Sequence, residues 1–299
     1  MVERRTVPGV DGVVRQLGPA DAEHVYRLSG GFGLTSARLR QELAATDDFR
    51  WVGLNDSDGR LYAVHRSMRW GPYLFLKGVY VSEDMRGSTA ALRLAFALRD
   101  TAKQEGLFGI AAWFEPGMQE SGIAEVLGMS PRRPLIYRVG LPLPSDDHAE
   151  DKTSQPTTST DRPRFRGEIM LPRDERSAAP TVDLFGRADR SDGEGSPADE
   201  SATRVHWVLD GSRLVSSVSL GTDGNGLRAL VDLLRPAARA NGADTLEFPV
   251  LAADILGALQ LSQAKVRRRN RVPICLGSRH FAGPFPASLP PRPTGVTPC

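Results

Sequence analysis

Cysteine is almost missing from this chain: Cys275 and Cys299 are the only two in 299 residues, and Cys299 is the last. Two thiols cannot build a disulfide framework, which points to a reducing compartment, the cytoplasm. No stretch approaches the ~20 apolar residues of a spanning helix, so no membrane partner is expected. The first residues, MVERRTVPGVDGVVRQLGPAD, hold no apolar core of a secretory signal. A large charge of one sign is missing too. The net charge is +2, so nothing global attracts nucleic acid or an anionic surface. His24, His65, His148, His206 and His280 show no metal-ligand spacing. With so few thiols, no metal is expected. There is no G-x-S-x-G or other nucleophile motif.

What remains is an ordinary globular composition, 40% apolar and 25% charged, in a chain long enough for two domains. Residues 12–18 suit a short strand. A helix is expected over 19–29, ended by Gly30-Gly31, and a second from Thr35, a capping residue, through Ala45. Three apolar runs joined by short turns come next, over 50–56, 60–70 and 73–81, and read as an antiparallel meander. A helix over 91–106, a strand over 108–114, a helix over 118–128 and a strand over 134–143 complete an order β-α-α-β-β-β-α-β-α-β. The expected class is α/β (α+β), with a mixed, mostly antiparallel sheet flanked by helices.

Residues 144–202 are charged, rich in Ser, Thr and Pro, and nearly free of aromatics, so they read as linker with one strand embedded over 163–171. Order resumes with a hairpin around Asp210-Gly211. A helix (227–240), a strand (245–251), a helix (252–262) and a strand (272–277) come after it, and the tail 278–299 is Pro-rich. The expected domains are therefore 1–143 and 203–277, with 144–202 between them. The halves echo each other. Leu94, Leu98, Arg99, Ala102 and Gly106 recur 136 residues later as Leu230, Leu234, Arg235, Ala238 and Gly242. Two unrelated amphipathic helices would also share Leu/Ala periodicity, but the matching flanks favour a tandem repeat.

One junction carries chemistry. In VYVSEDMRGSTAALRLAFALRDTAKQEG, Val79 to Gly106, a strand passes through Arg86-Gly87-Ser88-Thr89 into a helix. The first turn of a helix presents unpaired N–H groups and the positive end of its dipole, so a phosphate is stabilised there. Small residues let it approach the backbone, Arg86 can add a charge-assisted contact, and the Ser88 and Thr89 hydroxyls can add hydrogen bonds. A plain connection with a solvated arginine is the bland alternative.

The pattern Val81-x-x-x-x-Arg86-Gly87-x-Thr89-x-Ala91, with Leu94, Leu98, Ala102 and Gly106 behind it, resembles motif A of the GNAT superfamily of N-acetyltransferases. In that family V-x-P-x-x-R-G-x-G-x-G/A binds the pyrophosphate of acyl-CoA. The likeness covers roughly residues 12–143, and the second half resembles a degenerate copy, with Gly221-x-x-Gly224-x-Gly226 at the loop and no arginine. The resemblance implies acetyl-CoA or another acyl-CoA as co-substrate, held by Val79, Val81, Arg86, Gly87, Ser88, Thr89, Ala90 and Ala91. It also implies a small-molecule amine as acceptor and is compatible with a homodimer. Three departures stand out. Glu83 replaces the proline, Thr89 replaces a loop glycine, and Ala124 holds the position where the family often has a tyrosine acid.

Acyl transfer to an amine requires a neutral nucleophile, whereas an unperturbed alkylammonium titrates near pKa ~10. Glu115, at the end of the strand after the loop helix, is the first choice of general base. A solvated strand-end glutamate is the alternative. Tyr80 alternates with Val79 and Val81, so it either lines the acceptor side or donates a proton, or packs in the core. Trp51, Tyr62, Trp70 and Tyr73 read as core packing before they read as a substrate wall. The run Lys265–Arg271 is the one strongly basic patch. Transfer RNA is a partner only if the donor is an aminoacyl-tRNA. A third reading is a non-catalytic relative that binds acyl-CoA or a protein.

Overall fold

The computed structural model describes residues 12–114, 124, 126–143, 164–172, 180–185, 202–220, 225–251 and 274–280. Two compact units divide the chain: Met1–Arg133 with Ile274–Cys299, and Pro134–Pro273. Both are mixed sheets flanked by helices, the class that the element order implies.

In the first unit β1 (Val13–Gln16), β2 (Phe49–Asn55), β3 (Leu61–Trp70) and β4 (Tyr73–Val81) form consecutive antiparallel pairs. The link from β1 to β2 carries α1 (Ala22–Ser29) and α2 (Ser36–Ala44). The Thr35 hydroxyl accepts from the Arg38 amide at 3.2 Å and starts α2, as a cap should. After β4 comes α3 (Ala90–Gln104), whose Ala90, Leu94, Leu98 and Ala102 recur every fourth residue and are all fully buried. β5 (Gly109–Phe114) then runs parallel to β4, a pairing that needs a crossover connection, here α3.

On the α2 side of the sheet, Glu42 is buried and meets the Arg66 guanidinium through two 2.8 Å bonds. Arg38 lies 3.3 Å from the same carboxylate. The Arg66 guanidinium also sits 5.7 and 5.9 Å from the Phe49 and Trp51 rings. Removing one partner of such a pair strands a desolvated charge, at a cost of about 3–5 kcal/mol. On the α3 side, His65 is buried with Nδ1 donating to the Leu94 carbonyl at 3.2 Å and Nε2 without a partner among the described residues.

The second unit holds β6 (Ser130–Pro142, which starts in the last residues of the first unit), β12 (Thr245–Leu251), β10 (Arg213–Ser216), β9 (Ala202–Asp210) and β7 (Arg166–Pro172), neighbours in that order. β10 and β12 are parallel and the other pairs antiparallel. A separate ladder joins β8 (Pro180–Asp183) to β11 (Val218–Leu220). Helix α4 (Asn225–Ala240) buries Leu227, Leu230, Leu234 and Ala238.

The structure draws the boundaries differently from the sequence. β7 occupies the strand expected over 163–171, but β8 lies in the same stretch of 144–202, and both are built into the second unit. Short apolar runs such as Thr181–Phe185 vanish in the average composition of the segment around them. The last strand, β13 (Ile274–His280), is expected to close the second domain. It pairs instead with β5, Cys275↔Phe114 through His280↔Gly109, and belongs to the first unit. β6, expected over 134–143 as the last strand of the domain 1–143, pairs instead through Ile136–Pro142 with β12 of the second unit. Which sheet edge receives a strand is a non-local choice, invisible to periodicity.

A chain ending at residue 273 leaves one edge of β5 without its six-residue ladder, each bond being worth about 0.5–1.5 kcal/mol. The first unit of that shortened chain is expected to melt roughly 10 °C lower, read by calorimetry. A second expectation concerns His65, where burial holds the imidazole down at about 4, against 6.5 ordinarily, and the Leu94 carbonyl offsets this only in part. The unfolded chain takes up a proton as pH falls below about 6.5 while the folded chain stays neutral. Stability is therefore complete above that pH and lost on acidification towards 4. Between pH ~7 and ~4.5 the native chain should lose roughly 2 kcal/mol more than His65→Leu in urea titrations.

Candidate functional site

The site begins where β4 and β5 part. Their parallel ladder runs from Tyr73↔Gly109 to Leu76↔Ala112 and stops. On the other edge of β4 the register against β3 jumps from Ser67↔Leu76 to Arg66↔Gly78, so Lys77 is an extra residue. A bulge of this kind bends its strand and increases the twist. Beyond it β4 stays with β3 and leaves β5 behind.

The ladder fixes which amides the gap receives. The Ser82 amide donates to the Tyr62 carbonyl at 2.8 Å. In the alternating pattern of an antiparallel pair, Tyr80 and Gly78 turn their peptide groups the same way, towards β3. Those of Val79 and Val81 face the edge that β5 has left. The Val79 and Val81 side chains pack with Met85, Leu94 and Ala97 on the α3 side.

Between β4 and α3 the chain makes a short 3-10 turn, Glu83–Met85, then passes Arg86 to Thr89. Gly87 has φ +82, the left-handed conformation that favours glycine, and a Cβ there would meet nothing within 4 Å. Thr89 has φ −77, so threonine fits without strain and no glycine is needed there. Among the six amides from 86 to 91, three bond internally: Arg86 to the Glu83 carbonyl (3.3 Å), Ser88 to the Met85 carbonyl (3.2 Å) and Ala90 to the Ser88 Oγ (3.2 Å). The amides of Gly87, Thr89 and Ala91 find no acceptor among the described residues. The Ser88 hydroxyl is thus engaged as a local cap. Arg86 is 59% exposed, and its partner among the described residues is the Glu83 carboxylate at 3.7 Å. In the place of the resembling motif's proline, Glu83 sets a negative charge beside the arginine.

The opposite face of β4 carries Gly78 and Tyr80. Tyr80 is half-buried and its hydroxyl has no partner among the described residues. Gly78 lies under Phe32, whose Cε1 would stand 2.8 Å from a Cβ at that position. Phe32 has φ +56 within Gly30–Gly33, the one non-glycine residue with positive φ among those described. Its ring meets Trp51 edge-on at 5.5 Å. Holding a phenylalanine left-handed costs about 1–2 kcal/mol, which the packing against Gly78 and Trp51 offsets. The GGFG run is the sequence signal for this turn. Trp51, Tyr62, Trp70 and Tyr73 are all buried and form core, as their place on the meander suggests.

Ala124 is buried in the cluster of Leu98, Leu127 and Met129, and its carbonyl accepts from the Met129 amide at 2.8 Å. No hydroxyl stands at that position. Glu115, the Gly221–Gly224 loop and the basic run 265–271 lie outside the described residues. Among the described residues no group of three His, Cys, Asp or Glu side chains could hold a metal ion, and no helix is long and apolar enough to cross a membrane.

No family model matches this chain, and no curated protein matches it. Solved structures do resemble it in part. The ribosomal-protein-S18-alanine N-acetyltransferase from Escherichia coli is 15% identical over 44% of this chain and 84% of its own, with a TM-score of 0.38. The GNAT domain of S. lividans PAT is 16% identical over 41% of this chain and 83% of its own, at 0.36. The PaiA N-acetyltransferase from Thermoplasma acidophilum, solved with coenzyme A, is 11% identical over 40% and 89%, at 0.35.

Proposed function

We propose that this chain is a GNAT-type N-acyltransferase that moves an acyl group from acyl-CoA to the amine of a small molecule, with the acyl-CoA diphosphate on residues 86–91 of the first unit. One observation carries the reading: three amides without acceptors, at Gly87, Thr89 and Ala91, open the helix that succeeds a strand parted from its parallel neighbour. An anion there gains three donors and the positive helix end. Arg86, exposed and only loosely paired, adds a charge within the same turn. Ser88 and Ala90 shape the turn through their mutual bond instead of contacting the ligand directly.

Acyl-CoA supplies the thioester that makes the acyl carbon electrophilic. The protein's part is positional. The amides of Val79 and Val81 face the gap and can donate to a carbonyl oxygen lying in it, which stabilises the charge that develops there. Tyr80, with its unpartnered hydroxyl, lies on the other face, where it can contact an acceptor or hold a proton. Glu115 comes directly after β5 and is proposed as the base that takes the ammonium proton. The second unit is read as a degenerate copy. Its α4 aligns with α3 at the offset of 136, and β10 beside β12 repeats the parallel pair of β4 and β5.

The buried alanine at 124 favours a second reading, in which the first unit binds acyl-CoA without turnover. Thiol release from acetyl-CoA across a broad panel of amines separates the two. Release with any amine supports the enzyme, and tight binding without release supports the binder.

Two variants test the cofactor site. Combining Arg86→Ala with Gly87→Ala removes a charge-assisted bond of about 1.5–3 kcal/mol and strains the loop by about 1–2 kcal/mol. Coenzyme A affinity should fall at least about 100-fold by calorimetry, and unchanged affinity would remove the site. Glu83→Gln should act in the opposite direction and tighten binding about two- to threefold at low salt. That gain should shrink as salt screens the exposed carboxylate.

A further inference from the structure

The parallel pair of the second unit also parts, but its opening is filled differently. β10 runs beside β12 through Arg213↔Thr245, Leu214↔Leu246 and Val215↔Glu247, and the chain then leaves at Ser216–Ser217 to become β11. The departing strand pairs with β8, Val218↔Asp183 and Ser219↔Val182. The Leu184 amide donates to the Ser217 carbonyl at 3.0 Å, so this bonding reaches the residue at which the two parallel strands separate. β8 packs against β12 as well as β11. Val182, Leu184 and Phe185 are buried, and the Phe185 ring meets His206 edge-on at 5.7 Å.

The polar groups of the departing strand are likewise satisfied within the protein. Ser216 Oγ donates to the Val218 carbonyl at 2.9 Å and accepts from the Val218 amide at 3.2 Å. Ser217 Oγ accepts from the His206 amide at 3.0 Å. Ser216, Ser217 and Ser219 are all fully buried. The residues just before α4 in sequence, Gly221-Thr-Asp-Gly224, bring an acid and no base. Apolar pockets beside a strand edge suit an extended peptide. A diphosphate would need free donors and a cation.

We infer that the opening between the parallel strands of the second unit is a strand-binding cleft, filled in cis by Pro180–Phe185, and that it takes a polypeptide where the first unit takes acyl-CoA. The ligand class is an extended peptide with apolar side chains two apart, here Val182 and Leu184, and then an aromatic. Only the comparison with the first unit rests on the acyl-CoA reading. The peptide-filled cleft does not.

Hydrogen exchange on the full chain, with and without saturating coenzyme A, tests the inference. The Leu184 amide and those of β11 should exchange at least about 100-fold more slowly than in an unstructured peptide. Coenzyme A should slow exchange at 87–91 and leave 216–220 unchanged. Free-peptide rates at 182–184, or slowing at 216–220 on adding coenzyme A, overturns the inference. A chain that binds no coenzyme A removes the reading of the first unit, while the exchange of the ligand-free chain still decides the cleft. A second arm uses Val182→Asp with Leu184→Asp and a labelled synthetic peptide of residues 177–187. The folded variant should bind the peptide and the native chain should not. Equal binding to both, or none to a variant with native circular dichroism, refutes the cleft.

Discussion

Four residue pairs of parallel ladder, from Tyr73↔Gly109 to Leu76↔Ala112, and then a parting: the candidate site depends on this feature of β4 and β5. The parting falls at Lys77, the surplus residue of β4, where a bulge bends its strand. Had the ladder continued, the amides of Val79 and Val81 would be spent on β5. Because it stops, they are not bonded to β5, and the chain passes from β4 to the start of α3. The α3 N-terminus is then held over the gap by Ala90 and Leu94, which are buried against Val52, Leu54 and Ala63. The donors this arrangement leaves open belong to the backbone more than to side chains, so its sequence signature is small residues and one glycine.

The second unit answers the same geometric problem with its own chain. A strand that leaves its partner exposes amides and apolar flanks, and both need covering. In the first unit the ladder of β4 and β5 simply stops, whereas β8 and the residues after it cover them in the second. Buried Val182, Leu184 and Phe185 supply the apolar part, and the bond from Leu184 to Ser217 supplies the polar part.

Electrostatics around the first unit is mostly internal. Glu42 is desolvated and matched by Arg66 and Arg38, so its face of the sheet carries no uncompensated negative charge at that carboxylate. His65 is kept neutral by burial, close to α3. The loop before α3 is different, because Arg86 and Glu83 are both exposed there and loosely paired. An anion placed there would meet one charge that attracts it and one that repels it.

Local rules read much of this molecule from its residues. Periodicity located the meander, α3 and β12 to within a residue or two, and Thr35 announced its cap. These features depend on neighbours a few positions away, which is the range over which propensity and capping act. The bulge at Lys77 and the burial of β8 left no comparable trace. The pairing of β13 with β5 shows why most plainly. Val272–Gly277 reads as a strand in any context, and both edges of a strand offer the same donors and acceptors. By itself the sequence determined that a strand forms there. The edge that receives it was settled only by tertiary structure, since that choice depends on which distant residues the rest of the chain brings alongside.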